Sequence, residues 1–437
     1  MNPPVPDPNS RPTRVRYGVL AFLCTLSFVL YLDRVCISQA ADSIQAEFSI
    51  ANERWSYVLM AFTLAYGLFE IPTGHMGDRL GARRVLTRIV VWWSAFTLLT
   101  AVCWGFWSLV VVRFLFGAGE AGAYPNVARV LARWFPPGER GRAQGLVLAA
   151  GLVGGSASPV LAAYLIREFG WRAGFVSFGA VGVVWAVVFA AWFRDNPADH
   201  PAVNAAERDR IGADAAAMGG RRVPWGLVFR HPVIWVLGAI ITCNSFVSYV
   251  YFSWYPKYLQ AGRNVEKIES GWLATLVLAG GVVGMVGGGA ARDRIARSRR
   301  PLANRRVWCI SALLLAALLL AASVKFESPR AAAACTAASF LFMSSQRASW
   351  WSSATEVSGR FVGSLFGLMN GLGVVGAMGS QFFFGWFSDW RKALGYTGRD
   401  RWDPAFLVCA IGLVVAAALW LAVRHLRPVD EQASRAA

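Results

Sequence analysis

Five ionisable residues stand inside stretches that are otherwise apolar: Asp33 and Arg34 in YLDR, Arg113 and Glu120 in RFLFGAGEAGAYPN, and Arg347 in FLFMSSQRASWW. A charged side chain at the depth of a bilayer costs at least ~2.5–3.5 kcal/mol on insertion scales, and one that persists there faces a cavity or a partner. Carboxylates and guanidiniums in such a place suit reversible binding of a proton and of an anion. A carboxylate kept from water holds its proton more tightly, and a nearby guanidinium opposes that. An anion that occupies the guanidinium shifts the balance, so proton and anion each alter the other's affinity.

The spacing sorts these residues. Arg113 and Glu120 are seven apart, two helical turns, and share a face about 10 Å apart along the axis. Gly117 and Gly119 between them leave room for a helix or a ligand, and Tyr124 follows Glu120 on the same face at i+4. The plainer alternative is a buried ion pair that locks this segment to a neighbour. Asp33 and Arg34 are adjacent and point roughly 100° apart. Tyr31 shares a face with Arg34, and Tyr66 lies four before Glu70. The alternative for Asp33 and Arg34 is a helix end whose charges snorkel to the interface. Arg347 is either an extra cation for a ligand or the partner of a carboxylate on another helix. Trp350 and Trp351 are candidates for an apolar wall or for packing. Asn244, Tyr249, Tyr251 and Asn370 are candidate polar contacts in the second half of the chain.

These residues need helices that cross a membrane. Hydrophobic residues make up 56% of the 437, and charged residues 16%, against roughly 25% in soluble domains. Twelve apolar spans are expected, at about 17–40, 55–76, 85–104, 107–130, 143–166, 172–193, 231–256, 270–291, 307–325, 331–352, 362–384 and 405–424. The formal net charge of +18 is not a nucleic-acid surface, because the basic residues cluster at span ends. Arginines fill the connections after spans 2, 4, 6 and 8, which puts both termini in the cytoplasm. The connection after span 11, with Arg391, Lys392, Arg399 and Arg401, breaks the pattern. The seven cysteines show no metal or disulfide spacing, and the Pro-rich start does not read as a cleaved signal. The expected division is a cytoplasmic tail (1–16), a six-helix bundle (17–193), a cytoplasmic linker (194–230), a second bundle (231–424) and a cytoplasmic tail (425–437).

The two halves repeat. GHMGDRLGARR after span 2 answers GGAARDRIARSRR after span 8, with Gly74 and Gly289 each four before Asp-Arg. GLVLAAGLVG in span 5 answers GLMNGLGVVG in span 11, and spans 4 and 10 share FLF, which aligns Gln346 with Glu120. Two copies of a six-helix unit suit a transporter with its site between the copies. Twelve spans with Gly74, Asp78, Arg79, Gly81, Arg83 and Arg84 after span 2 resemble the major facilitator superfamily: an all-α membrane fold of two pseudo-symmetric six-helix bundles. YLDR, FEIPTGHMGDRLGARR, RFLFGAGEAGAYPN, WFRDNPADHP and Asn370-Gly371 resemble its anion:cation symporter family, carriers of sugar acids, phthalate and tartrate.

That resemblance implies roles. Arg34 meets the substrate carboxylate, Asp33 and Glu120 are the protonatable acids, and Arg113 ties Glu120 to substrate occupancy. Tyr31 and Tyr66 line the pocket. Gly74, Asp78, Arg79, Arg83 and Arg84 form a cytoplasmic gate, in which Asp78 pairs with basic groups and a helix N-terminus across the halves, with Glu70 in the same network. Arg347, and Gly151 where a side-chain amide would meet a sugar hydroxyl, depart from sugar-acid carriers and tilt toward a dicarboxylate or aromatic acid. The expectation is a functional monomer in the inner membrane that moves organic acid anions with protons, with no cofactor. Exchange of organic phosphate for phosphate is the runner-up within transport. A receptor that kept the fold would need an added soluble domain, and no nucleotide loop, metal cluster or nucleophile–base set supports an enzyme.

Overall fold

A computed structural model describes residues 11–211, 225–358, 362–423, 426 and 428–429; for some helical residues within these, such as Gly74, Asp78 and Arg79, it describes the backbone alone. Long helices account for the fold: α1 (Val15–Phe48), α2 (Asn52–Leu80), α3 (Ala82–Thr100), α4 (Phe106–Glu120), α5 (Ala123–Trp134) and α6 (Pro137–Trp192) in the first half. Short helices α7 (Ala205–Ile211) and α8 (Trp225–Arg230) follow. The second half holds α9 (Pro232–Ser253), α10 (Tyr255–Lys257), α11 (Lys267–Ala296), α12 (Pro301–Ser323), α13 (Pro329–Ser345), α14 (Arg347–Ser358), α15 (Val362–Ala393) and α16 (Gly398–Ala422). Among the described residues, seven helices are long and apolar enough to cross a membrane by length and composition, counting α4 with α5 as one. α6 covers two expected spans, which meet at Gly170 with φ +81°.

Span 4 is not continuous. The helix stops at Glu120, and Gly122, with φ +82°, turns the chain before α5 begins. A side chain there would sit in the left-handed region and against Thr73, 2.6 Å from an added Cβ. Asn126 Nδ2 donates to the Gly122 carbonyl at 2.8 Å, and Pro125 falls in the first turn, where helical N–H groups lack intrahelical partners. Span 10 is irregular at the matching place: α13 stops at Ser345, and the Gln346 carbonyl takes the amides of Ser349 and Trp350, each at 3.0 Å. The sequence repeat therefore aligns a left-handed turn in the first half with a milder irregularity in the second, since Gln346 keeps helical angles of φ −77° and ψ −14°.

The Gly154/Gly376 match has a similar meaning. A Cβ on Gly154 would lie 2.3 Å from the Phe28 carbonyl oxygen of α1, and one on Gly376 2.1 Å from that of Thr242 on α9. Each glycine lets its helix meet the first helix of its own half backbone to backbone, as small residues do in membrane bundles.

The halves meet where α2 packs on α15 and α6 on α11. At the end away from the termini they are also tied by polar contacts. Lys257 pairs with Asp42, and Lys267 Nζ donates to Ser43 Oγ at 2.9 Å. Asp389 of α15 accepts the Glu53 amide at 2.8 Å, at the N-terminus of α2, and Arg401 at 2.9 Å. This answers the charge imbalance after span 11. Arg401 pairs with Asp389, Arg399 with Asp403 at 3.2 Å, and Arg391 stacks over Tyr396 at 3.5 Å. These cations are satisfied locally and are poor markers of sidedness.

At the other end the start of α1 docks on the linker. Glu207, fully buried, accepts the backbone amides of Val15 and Arg16, both at 3.2 Å, and Arg16 Nη1 at 3.1 Å. Asn204 and Thr13 add hydrogen bonds to the same junction. Residues 212–224, and all but 426, 428 and 429 of the expected C-terminal tail, lie outside the described residues.

Candidate functional site

The interior charges are central. Helix α1 runs fourteen residues beyond Arg34, so Asp33 and Arg34 are not the snorkelling helix end weighed from sequence. Asp33 is 2% exposed, Arg113 2% and Glu120 0%. Arg34 Nε donates to Glu120 Oε1 at 3.0 Å, and Nη2 bonds the same oxygen. The other oxygen, Oε2, is buried without a partner. The aromatic rings of Tyr31, Phe62 and Tyr66 surround the Arg34 guanidinium at 5.2, 5.1 and 4.7 Å, a cage that holds a cation without neutralising it.

The pair that forms is the one weighed as the plainer alternative, an ion pair that joins span 4 to a neighbouring segment. Glu120 joins Arg34 of α1, and Arg113 makes no ion pair among the described residues. Its guanidinium lies over Phe116 at 4.5 Å and Phe62 at 5.0 Å. The reason is directional: Glu120 ends α4 and turns toward α1, two turns away from Arg113. Asp33 has neither oxygen in a hydrogen bond; the Trp93 indole stands near it without reaching bonding geometry.

A cavity lies between the halves. Tyr31, Leu152 and Ser156 line it from one side, and Phe252, Phe340 and Arg347 from the other. Arg347 Nη2 donates to Ser248 Oγ at 3.0 Å, and no carboxylate reaches it among the described residues. The ion-pair alternative for Arg347 is thereby removed. Tyr31 and Tyr249 stand within electrostatic reach of both Arg34 and Arg347.

Other expected contacts fall elsewhere. Trp350 is packing, not cavity wall: its indole donates to the Leu237 carbonyl at 2.9 Å and the ring is 3% exposed. Asn244 is buried, with its amide nitrogen on the Ile240 carbonyl at 2.9 Å and its oxygen unpartnered. Asn370 is exposed and donates to Glu70 at 2.9 Å, a bond between α15 and α2. Arg83 of the expected gate bonds within its own half, to the Ala190 carbonyl, and its amide donates to Asp195 at 2.9 Å. Arg84 is exposed. Gly74, Asp78 and Arg79 lie on the last turns of α2, with side chains outside the described residues. Sequence reasoning missed Ser248, which sets Arg347, and the Asp42–Lys257 pair. The only signal for the latter was a lone acid and a lone base near span ends.

The comparisons agree with this architecture. The description "Major Facilitator Superfamily" matches residues 23–380. The chain belongs to the major facilitator superfamily. A protein of Cupriavidus necator described as a probable sulfoacetate transporter is 31% identical over 97% of this chain and 97% of its own. A probable galactarate/D-glucarate transporter of Bacillus subtilis is 30% identical over 72% of each chain, and the hexuronate transporter of the same organism 25% over 94% of each. These relatives fit the anion:cation symporter family. Among solved structures, a bacterial homologue of the human lysosomal transporter Spinster superposes with TM-score 0.78, covering 95% of this chain and 98% of that one at 18% identity, which shows the shared fold. The protein is thus a multi-pass membrane transporter and not an enzyme, and the relatives named above are transporters of organic anions.

Proposed function

We propose that this protein is a proton-coupled symporter of organic acid anions that works by alternating access. The observation that carries the reading is the Arg34–Glu120 pair, with one carboxylate oxygen bonded and the other bare in a buried site. A substrate carboxylate that takes Arg34 strips Glu120 of its counter-charge, and a buried carboxylate without one must gain a proton or reach water. Substrate and proton are then bound together. Asp33, equally buried and unpartnered, offers a second proton position. Organic phosphate exchange would use the arginines and leave both acids without a task. The relatives' named substrates, sulfoacetate and sugar acids, supply the class of cargo. The arginine-rich connections after spans 2, 4, 6 and 8 support cytoplasmic termini in an inner membrane, and a single chain contains the whole site, as a functional monomer requires.

Glu120→Gln in proteoliposomes tests this. Proton-driven uptake is expected to vanish while substrate exchange and binding persist. Equal loss of all three would overturn the reading.

A further inference from the structure

The interior arginines are not alike. Arg16 has Glu207 at 3.1 Å, Arg305 has Glu356 at 2.8 Å, Arg401 has Asp389 at 2.9 Å, and Arg34 has Glu120. Two have no carboxylate among the described residues: Arg113, sealed over the rings of Phe116 and Phe62, and Arg347, which has a serine hydroxyl and lines the cavity. An interior cation without a counter-charge is kept at a cost, and a ligand anion is the natural counter-charge where the cation lines a cavity. Its place in the fold is equally specific. The interruption of span 4 ends on the acid that holds Arg34; the matching, milder irregularity of span 10 falls on neutral Gln346 and then presents Arg347. Arg347, from the second half, lines the cavity with Tyr31, and Arg34 of the first half lies over the same Tyr31 ring at 5.2 Å.

Apart from Arg347, the wall is mostly apolar, with hydroxyls only at Tyr31, Ser156 and Ser344 among its described lining. Ser27 and Tyr124 bond one another at 2.8 Å in the space a side chain at Gly151 would fill. The Ser156 hydroxyl donates to the Leu152 carbonyl at 2.9 Å. Leu152, Phe252, Leu278 and Phe340 present hydrocarbon. A polyhydroxy acid would lose water at each hydroxyl set against such a wall, at about tenfold in affinity for each one left unpaired.

Resting on the symport reading above, we propose that the cargo is a short dianionic acid, with two anionic groups on an apolar spacer, one held by Arg34 and the other by Arg347. Arg347 is the residue that selects dianions over monoanions. Each half holds one end, and the cargo itself joins the halves.

The experiment is uptake by proteoliposomes under an inward proton gradient. The panel contains succinate, malonate and sulfoacetate as dianions, propionate and methanesulfonate as monoanions, and galactonate as a polyhydroxy acid. The expected result is uptake of at least one dianion, with the monoanions and galactonate competing at least about tenfold less well. Arg347→Gln should raise KM for the dianion by about tenfold to a hundredfold and abolish its advantage over the monoanion. Arg347→Lys, which keeps the charge, should retain that advantage and guards against a folding defect. Proton-driven uptake of galactonate or of monoanions with no dianion transported would overturn this inference and leave the symport reading standing. So would an Arg347→Gln protein with unchanged KM for the dianion. Dianion uptake that dissipates no proton gradient would uphold the two-cation site and sink the symport reading. Uptake of no panel member would overturn the inference.

Discussion

Asp42 and Lys257 give the most direct handle on how the halves separate. Lys257 is on the second half with 8% of its side chain exposed, and Asp42 on the first with 31%. Asp42→Asn leaves the lysine enclosed and without its counter-charge while this end is shut; once it opens, water can solvate the ammonium. Breaking a fully buried pair by deleting one partner costs ~3–5 kcal/mol. Asp42 is nearly a third exposed, so solvent already screens the pair, and about 1–2 kcal/mol is the appropriate figure. The ratio of open to shut at this end should rise about five- to thirtyfold. Closure is not abolished, because Asp389 on the Glu53 amide and Asn52 on Ser388 at 3.0 Å remain. The assay is a pulsed electron spin distance measurement between labels at Ala46 and Ala261, exposed positions on opposite halves, with native cysteines replaced. Asp42→Asn should populate a longer distance. Asp42→Asn combined with Lys257→Met should restore much of the short one, since no unpaired charge is left to bury. An unchanged distribution in the single variant, or a double variant as open as the single, would refute the argument.

Three further outcomes follow from local geometry. Glu207→Ala leaves Arg16 with Glu139 alone, at 3.3 Å, and removes the acceptor of the Val15 and Arg16 amides; thermal unfolding in detergent should show a loss of about 1–3 kcal/mol, and an unchanged midpoint would disprove the docking role. Gly122→Ala forces a side chain to φ +82° against Thr73, so it should cost at least about 1–2 kcal/mol by the same measurement and lower transport by displacing Glu120. Asp33→Asn removes a group whose oxygens bond nothing, so the protein should fold as before while proton-driven uptake falls; a misfolded variant would mean Asp33 has a structural task.

Much of this was readable from residue type and spacing, because lipid makes interior charge and repeated glycine conspicuous. Asp33, Arg34, Arg113 and Glu120 stood out for that reason, and all four lie in the interior. The FLF match at 114–116 and 340–342 aligned Gln346 with Glu120, but sequence reasoning treated both spans as continuous and did not see that α4 ends at Glu120 or that α13 ends at Ser345. Pairing was not readable. Periodicity places Arg113 and Glu120 on one face, yet the break after Glu120 turns its carboxylate to α1. Trp350 looked like a cavity wall because a strip of apolar sequence does not say which side of its helix faces a void. The cations after span 11 looked like an exception in sidedness because Asp389, Asp400 and Asp403 offset them only in part by count, and a count does not show that Arg401 and Arg399 each hold one of these acids.

The two halves share a backbone plan but not a charge plan. In the first, the interrupted helix ends in an acid that already holds an arginine; in the second, the milder irregularity falls on an amide and is followed by an arginine that holds only a hydroxyl. A strictly symmetric pair of sites would bind a symmetric ligand and give no reason for a proton to travel with it. The asymmetry separates the two tasks. On the symport reading, one half exchanges a proton for substrate charge because its cation starts out neutralised. The other can hold an anion without first giving up a partner. Closing the cavity then brings a charge from one half to a counter-charge held by the other, so motion of the bundles and occupancy of the site depend on the same contacts.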